Sequence, residues 1–394
     1  MAAVGKQERR YDLDWVRVIT ILVVFVFHCG RFFDSGTWHL KNDQMSFPID
    51  AFNFFANFWQ MPVLFLVAGA AAWFSLQSRR IGPFMNERVH RILVPLAFGI
   101  LVIVPPQVYY ERIFKHQFED SFIAFYPHFF NGIYSYAGTG NFSWHHLWFL
   151  AYLFIITCLA LPVFYSLNRP KGKELVSRLA SFASRRGAII VWFLPMWLVL
   201  WSLQPVFPGY QQNLVGDVAF LLNYFCYFLF GYLFCADGRF WNAIEKQKYV
   251  ALTLAVVVTG VISYLELSKI TPSIGYSPAR IGALVLWTLC SWCWVVAFLG
   301  LARRYLSFSN RFLVYANEAV LPFYILHHMV IIGVGFYVIQ LDIPVAAKYF
   351  SIIAISFVII MLLYEFAVKR WNVTRFLFGM RSKPHTTRPV AARQ

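Results

Sequence analysis

Long apolar runs dominate the chain, and they recur at the spacing of membrane spans. Ten stretches are apolar over the length that a hydrocarbon core asks of a helix. They run approximately over 16–34, 51–76, 92–110, 146–167, 187–203, 217–236, 249–267, 281–302, 314–338 and 345–367. About twenty residues at ~1.5 Å each cross roughly 30 Å of hydrocarbon. The expected fold class is all-α: a polytopic membrane protein of about ten transmembrane helices. Residues 1–370 would form a single membrane domain, and 371–394 a basic cytoplasmic tail without order.

The polar segments between the runs give direction. Of the 34 Lys and Arg residues, 26 fall in the two terminal segments and the even-numbered loops, including a long basic loop at 168–186. The opposite loops hold only six: Arg31, Lys41, Arg112, Lys115, Lys269 and Arg280. The positive-inside rule then places both termini in the cytoplasm. A missed or extra span would scramble this alternation.

The first helix breaks the apolar pattern. In Tyr11–Arg31, Asp14 and Arg17 stand at the start, and His28 stands eleven residues beyond Arg17. Eleven steps of about 100° come within ~20° of three turns, so Arg17 and His28 share one stripe, roughly 16 Å apart along the axis. Ionisable side chains are costly in hydrocarbon and mark sites facing a cavity. A lone membrane histidine is often only hydrogen-bonded to a neighbouring helix; its alignment with Arg17 argues for more. Both side chains are expected to line one continuous cavity. Imidazole titrates near neutrality and suits general-base work. Asp14, three residues before Arg17, is placed to pair with it and fix its rotamer.

Composition agrees with the membrane reading and removes some alternatives. The chain is 59% hydrophobic and 13% charged, about half the charge of a soluble protein. Its net charge of +16 would suggest nucleic acid in a soluble protein, but positive-inside loops account for it here. The six cysteines lie in or beside apolar runs and read as small apolar residues. The basic N-terminus leads into a retained first helix rather than a signal peptide, since no small-residue cleavage pattern follows.

Further candidates are scattered. Arg88 and Arg91, three apart at the start of the third span, share a face and would bind a polyanion such as a nucleotide phosphate. Arg79 and Arg80 read as topology anchors. Two long outer loops carry Thr37-Trp38-His39 and Ser143-Trp144-His145-His146, and their aromatic residues suit stacking on sugar rings. In the ninth span, Asn317 and His327 lie about 80° apart, on a common side, whereas Glu318 and His327 fall on opposite sides. Adjacent His327 and His328 diverge by about 100° and cannot chelate one ion together, so no metal is expected. No nucleophile elbow, P-loop or dinucleotide fingerprint occurs.

Together these features resemble the membrane-bound acyltransferase family 3. The resemblance rests on Arg17-x10-His28, Arg88-x2-Arg91, about ten spans and a basic N-terminus. Leu13-Asp14-Trp15-Val16-Arg17, Phe65-Leu66-Val67-Ala68-Gly69, His146-Leu147-Trp148-Phe149-Leu150, Tyr324-Ile325-Leu326-His327-His328, Tyr364-Glu365 and Phe378-Gly379 extend it over most of the chain. Within the family the chain looks most like the branch that succinylates osmoregulated periplasmic glucans.

The resemblance implies an enzyme of the bacterial cytoplasmic (inner) membrane. It would move an acyl group, succinyl as the favoured choice and acetyl next, from cytoplasmic acyl-CoA to a hydroxyl of a periplasmic glucan or other glycan. His28 would be the base, and Arg17, Arg88 and Arg91 the donor-site arginines. Acyl-CoA would be a co-substrate, with no permanently bound cofactor; membrane lipid and the glycan are the other partners, and nucleic acid is not one. Asn317, Trp144 and His146 are candidate oxyanion donors, with Trp38, His39 and His327 supporting. The competing reading is a transporter or flippase for a sugar or lipid-linked glycan. Against it stands the lack of visible repeats.

Overall fold

The structure, a computed structural model, describes residues 9–134, 139–209 and 212–383. Its helices are α1 (Tyr11–Gly30), α2 (Phe47–Ser78), α3 (Ile81–Phe114), α4 (His145–Leu167), α5 (Pro170–Ala183), α6 (Ile190–Leu203), α7 (Val218–Ala236), α8 (Gly238–Leu267), α9 (Pro278–Tyr305), α10 (Arg311–Val338), α11 (Val345–Val368) and α12 (Asn372–Leu377). Nine of these, among the described residues, are long and apolar enough to cross a membrane, and α6 is apolar but shorter. The one β contact among the described residues is an isolated bridge, Ile133 to Phe142. The protein is an all-α multi-pass membrane protein.

α1 sits inside the bundle and touches α2, α9, α10 and α11. Arg17 and His28 are each partly exposed along it. Beside it, α2 and α7 cross at glycine. A Cβ on Gly69 would stand 1.9 Å from the Phe228 carbonyl oxygen, and one on Gly231 would stand 1.9 Å from that of Leu66. Lipid offers no hydrophobic drive between helices, so close backbone approach and dispersion must hold the pair together.

α3 widens into π turns at Val89–Leu93 and Gly99–Ile103. Pro95 and Pro105 lack the N–H that would bond the carbonyls of Arg91 and Leu101, and the ladder loosens around each. The Tyr126 hydroxyl supplies the missing donor at the Leu101 oxygen, at 3.1 Å.

Two expectations need correction. The segment 168–186, read as a loop, contains the amphipathic helix α5, which packs on α4 and α8. The tail read as disordered from residue 371 begins with α12. Arg375 in it is buried, bonding Glu318 at 2.9 Å and the Arg381 carbonyl at 2.7 Å. Charge composition suggested a solvated tail, but these pairings tie residues 372–381 to the bundle. Residues 384–394 lie outside the described residues.

At the other end, the segment after α1 is tied down by the buried Asp34. It accepts from Arg31, from Lys41 at 3.0 Å and from Asn53 Nδ2 at 2.8 Å. Burial pushes the Lys41 ammonium below its ordinary value, and Asp34 opposes the shift. This anchorage fixes the stretch that brings Trp38 and His39 over α1.

Candidate functional site

Two layers of polar side chains lie along α1. The first is an open cavity of about 830 Å³ at the end of the bundle where α1 begins. Its wall carries seven arginines (9, 17, 79, 88, 91, 375 and 381) against three carboxylates, Asp14, Glu87 and Glu318. Such a surplus in a cleft with apolar walls favours a polyanion.

Most of these arginines are committed. Asp14 accepts from Arg9 at 2.9 Å and from Arg17 at 3.2 Å. Glu87 accepts from Arg79 and, at 3.4 Å, from Arg91. Arg91 also donates to the Gly379 carbonyl at 3.3 Å. Arg17 reaches across to Asn317 Oδ1 at 2.6 Å. Arg88 differs: its guanidinium lies 4.8 Å from the Phe84 ring, and no carboxylate pairs with it among the described residues. Arg17 Nε, Arg88 Nε and Asn317 Nδ2 are buried donors with no acceptor there. Unsatisfied donors beside a cationic cavity suit a ligand rich in acceptor oxygens.

The second layer is histidine. Six of the ten histidines gather where α1, α3, α4 and α10 meet the outer loops: His28, His39, His145, His146, His327 and His328. Their tautomers follow from their partners, since carbonyl oxygens can only accept. His327 Nδ1 lies 2.5 Å from the Tyr324 carbonyl and so carries a proton. Its neutral Nε2 is then an acceptor, 3.0 Å from His28 Nδ1, which must donate. The remaining lone pair of His28 is left on Nε2. His146 donates from Nε2 to the Ile325 carbonyl at 3.0 Å. His328 donates from Nδ1 to Gln107 Oε1 at 2.6 Å, and Gln107 is oriented by donating to the Ile103 carbonyl.

Trp38 stacks on His28, centroids 5.6 Å apart and planes 23° apart. Its indole N–H is buried with no acceptor among the described residues. The sequence marked Trp38 for sugar stacking and missed this donor, which becomes visible only when the loop folds back on α1.

The layers are adjacent, and the arginine cavity does not itself reach His28. Arg17 lines the cavity; His28 does not. Tyr324 is the wall residue that links the cavity to the histidines. Its hydroxyl donates to the His146 carbonyl, and its ring lies 5.6 Å from that of His327. The three candidate oxyanion donors are also placed otherwise. Asn317 sits at the arginine layer, Trp144 Nε1 donates to the Gln212 carbonyl at 2.7 Å, and the His146 N–H is spent on Ile325.

His39 belongs to a side cluster with Glu111 and His145, whose ligating atoms lie within 4.8 Å of one another. The donor set resembles a metal centre, but both carboxylate oxygens are already engaged. Glu111 Oε2 meets His39 at 2.6 Å and Tyr134 at 2.7 Å, while Oε1 takes Lys115 at 2.6 Å and Arg112 at 3.3 Å. A dication would meet two cations held by one carboxylate, so the cluster works as a hydrogen-bond network. His327 and His328 point apart, with ring planes at 87° and different partners.

A family model described as an acyltransferase domain, that of the acyltransferase 3 family, matches residues 10–365. The chain is similar to the glucans biosynthesis protein C of Escherichia coli O139:H28 (strain E24377A / ETEC) and to that of Escherichia coli (strain K12). Each is 22% identical over 343 residues, covering 84% of this chain and 84% of the relative. No solved structure matches it. With that match, the transporter reading falls away: the chain belongs to the acyltransferase 3 family and is a membrane acyltransferase.

Proposed function

We propose that the protein is an O-acyltransferase of the bacterial inner membrane. It moves an acyl group, succinyl by preference, from cytoplasmic acyl-CoA to a hydroxyl of an extracytoplasmic glucan or related glycan. The observation that carries this reading is the pairing of an arginine cavity with an imidazole whose free lone pair is fixed on His28 Nε2. The glucan and the succinyl group rest on the branch resemblance and on the name of the relatives.

The nucleotide stays at the arginine layer, where Arg88 has its charge free and Arg17 and Arg91 lie beside it. The pantetheine arm runs inward past Tyr324, whose ring must move aside. The acceptor comes from the opposite face, below the loops that carry Trp38 and His39. His28 Nε2 takes the hydroxyl proton as the oxygen attacks the thioester carbonyl. The indole N–H of Trp38 is the donor available to the developing oxyanion. The carbon–sulfur bond then breaks, and His28 returns its proton to the thiolate, leaving an ester and free coenzyme A. His327 holds the tautomer of His28, and Asp14 and Asn317 hold Arg17.

Mass spectrometry of periplasmic glycans from cells with and without the protein tests the reading. A mass increment of one succinyl per modified site is expected only when the protein is present. Identical glycan profiles in the two strains would overturn the acceptor class, and a different increment would overturn the succinyl group alone.

A further inference from the structure

A second cavity, of about 400 Å³, opens at the other end of the bundle between α2, α7, α8 and α9. α7 and α9 begin there and α8 ends there. Their opposite ends meet the first residues of α1, where Arg10 lies 4.0 Å from the Trp241 ring and Trp15 donates to the Phe308 carbonyl. The wall is largely apolar, with Phe58, Phe220, Ile262, Leu284 and Trp287.

Polar groups interrupt it, among them Arg280, Glu266 and Asn223. Arg280, in the first turn of α9, donates to Gln204 Oε1 at 2.6 Å; its Nε is buried without an acceptor, and no carboxylate pairs with it among the described residues. Glu266 also lines the cavity but accepts from the Thr271 hydroxyl at 3.2 Å. Asn223, only 8% exposed, has no hydrogen-bond partner among the described residues. It stands five residues into α7, about 7 Å deeper than the helix start.

We propose that this cavity binds one anionic glycerophospholipid of the leaflet at that end, its phosphate on Arg280 and an ester carbonyl on the Asn223 amide. A guanidinium with an unpaired N–H in an apolar wall calls for an anion, and its fork matches phosphate. The depth of Asn223 selects among phosphate lipids. A diacylglycerol headgroup places ester carbonyls just below its phosphate, where the Asn223 amide lines the cavity and can donate to one. A polyprenyl phosphate would set hydrocarbon against that amide and leave it unpaired.

The bound chain packs against Tyr224, which stacks on Phe65 at 4.6 Å; Phe65 in turn meets Phe149, a wall residue of the arginine cavity, at 4.9 Å. The lipid therefore braces the three-ring partition between the two cavities.

Native mass spectrometry of the full chain in mild detergent tests this, with phosphatidylglycerol, its diether analogue, phosphatidylethanolamine and undecaprenyl phosphate as probes. One phosphatidylglycerol should be retained at least about fivefold better than phosphatidylethanolamine or the diether analogue. Arg280→Gln should bring retention down to the phosphatidylethanolamine level. Equal retention of all four lipids, or unchanged retention by Arg280→Gln, overturns the site; preference for undecaprenyl phosphate overturns the lipid class. The diether arm uses the unaltered protein, so the proposal stays open to refutation even if the variant misfolds.

Discussion

Eleven residues of α1 separate two sites built on opposite electrostatic principles. Around Arg17, charge is plentiful and incompletely satisfied. Arginines outnumber carboxylates, Arg88 has no ionic partner among the described residues, and buried donors lack acceptors. Around His28 the histidine protons are assigned by fixed acceptors: Tyr324, Ile325 and Gln107. The first layer waits for charge to arrive with a ligand. The second is set in advance, so a proton can move without the protein reorganising. Binding and proton transfer thus occupy separate layers, and Tyr324 stands between them.

The contrast breaks most sharply at His28. His28→Ala should remove measurable transfer, a loss of ~10²–10⁴-fold for a general base, while immunoblots show normal membrane levels. Substantial surviving activity would move the chemistry elsewhere.

The next effect separates binding from chemistry. Arg88→Ala should raise the acyl-CoA KM by roughly 10–100-fold with kcat nearly kept, matching about 1.5–3 kcal/mol for a hydrogen bond to a charged group. Arg91→Ala should cost less, since Glu87 and Gly379 already hold that guanidinium. Equal KM changes in the two variants, read from initial rates, would erase the distinction between free and committed arginines.

The smallest expected effect concerns positioning. His327→Ala should lower kcat about tenfold and alter its pH profile, because His28 loses the acceptor that fixes its tautomer. His327→Gln, which can supply an amide oxygen, should recover most of the rate. If both variants behave alike, His327 only fills space.

Much of this was legible in the chain. The apolar runs gave the spans because a bilayer imposes length and composition locally, residue by residue. The α1 stripe was legible because Arg17 and His28 share one rigid helix. Even the common side of Asn317 and His327 carried over: α10 runs parallel to α1, so Asn317 meets Arg17 and His327 meets His28. The partners themselves were not legible. α10 is apolar on most of its faces, so no amphipathic pattern says which face turns to α1.

The sequence by itself determined where the apolar helices lie and the spacing of the two layers, since these depend on local hydrophobicity and helical rise. It reads as ten spans where nine described helices reach full crossing length, because α6 is apolar but short. Only the tertiary structure decided which donors stay free, which histidine keeps an open lone pair, and that Tyr324 stands in the wall between the arginines and the histidines. Those depend on contacts between residues some 300 positions apart, such as His28 with His327. They also depend on loops folding back over the bundle, as Trp38 does. Side-chain pairing across helices is set by packing and register, and no pattern confined to one helix encodes it.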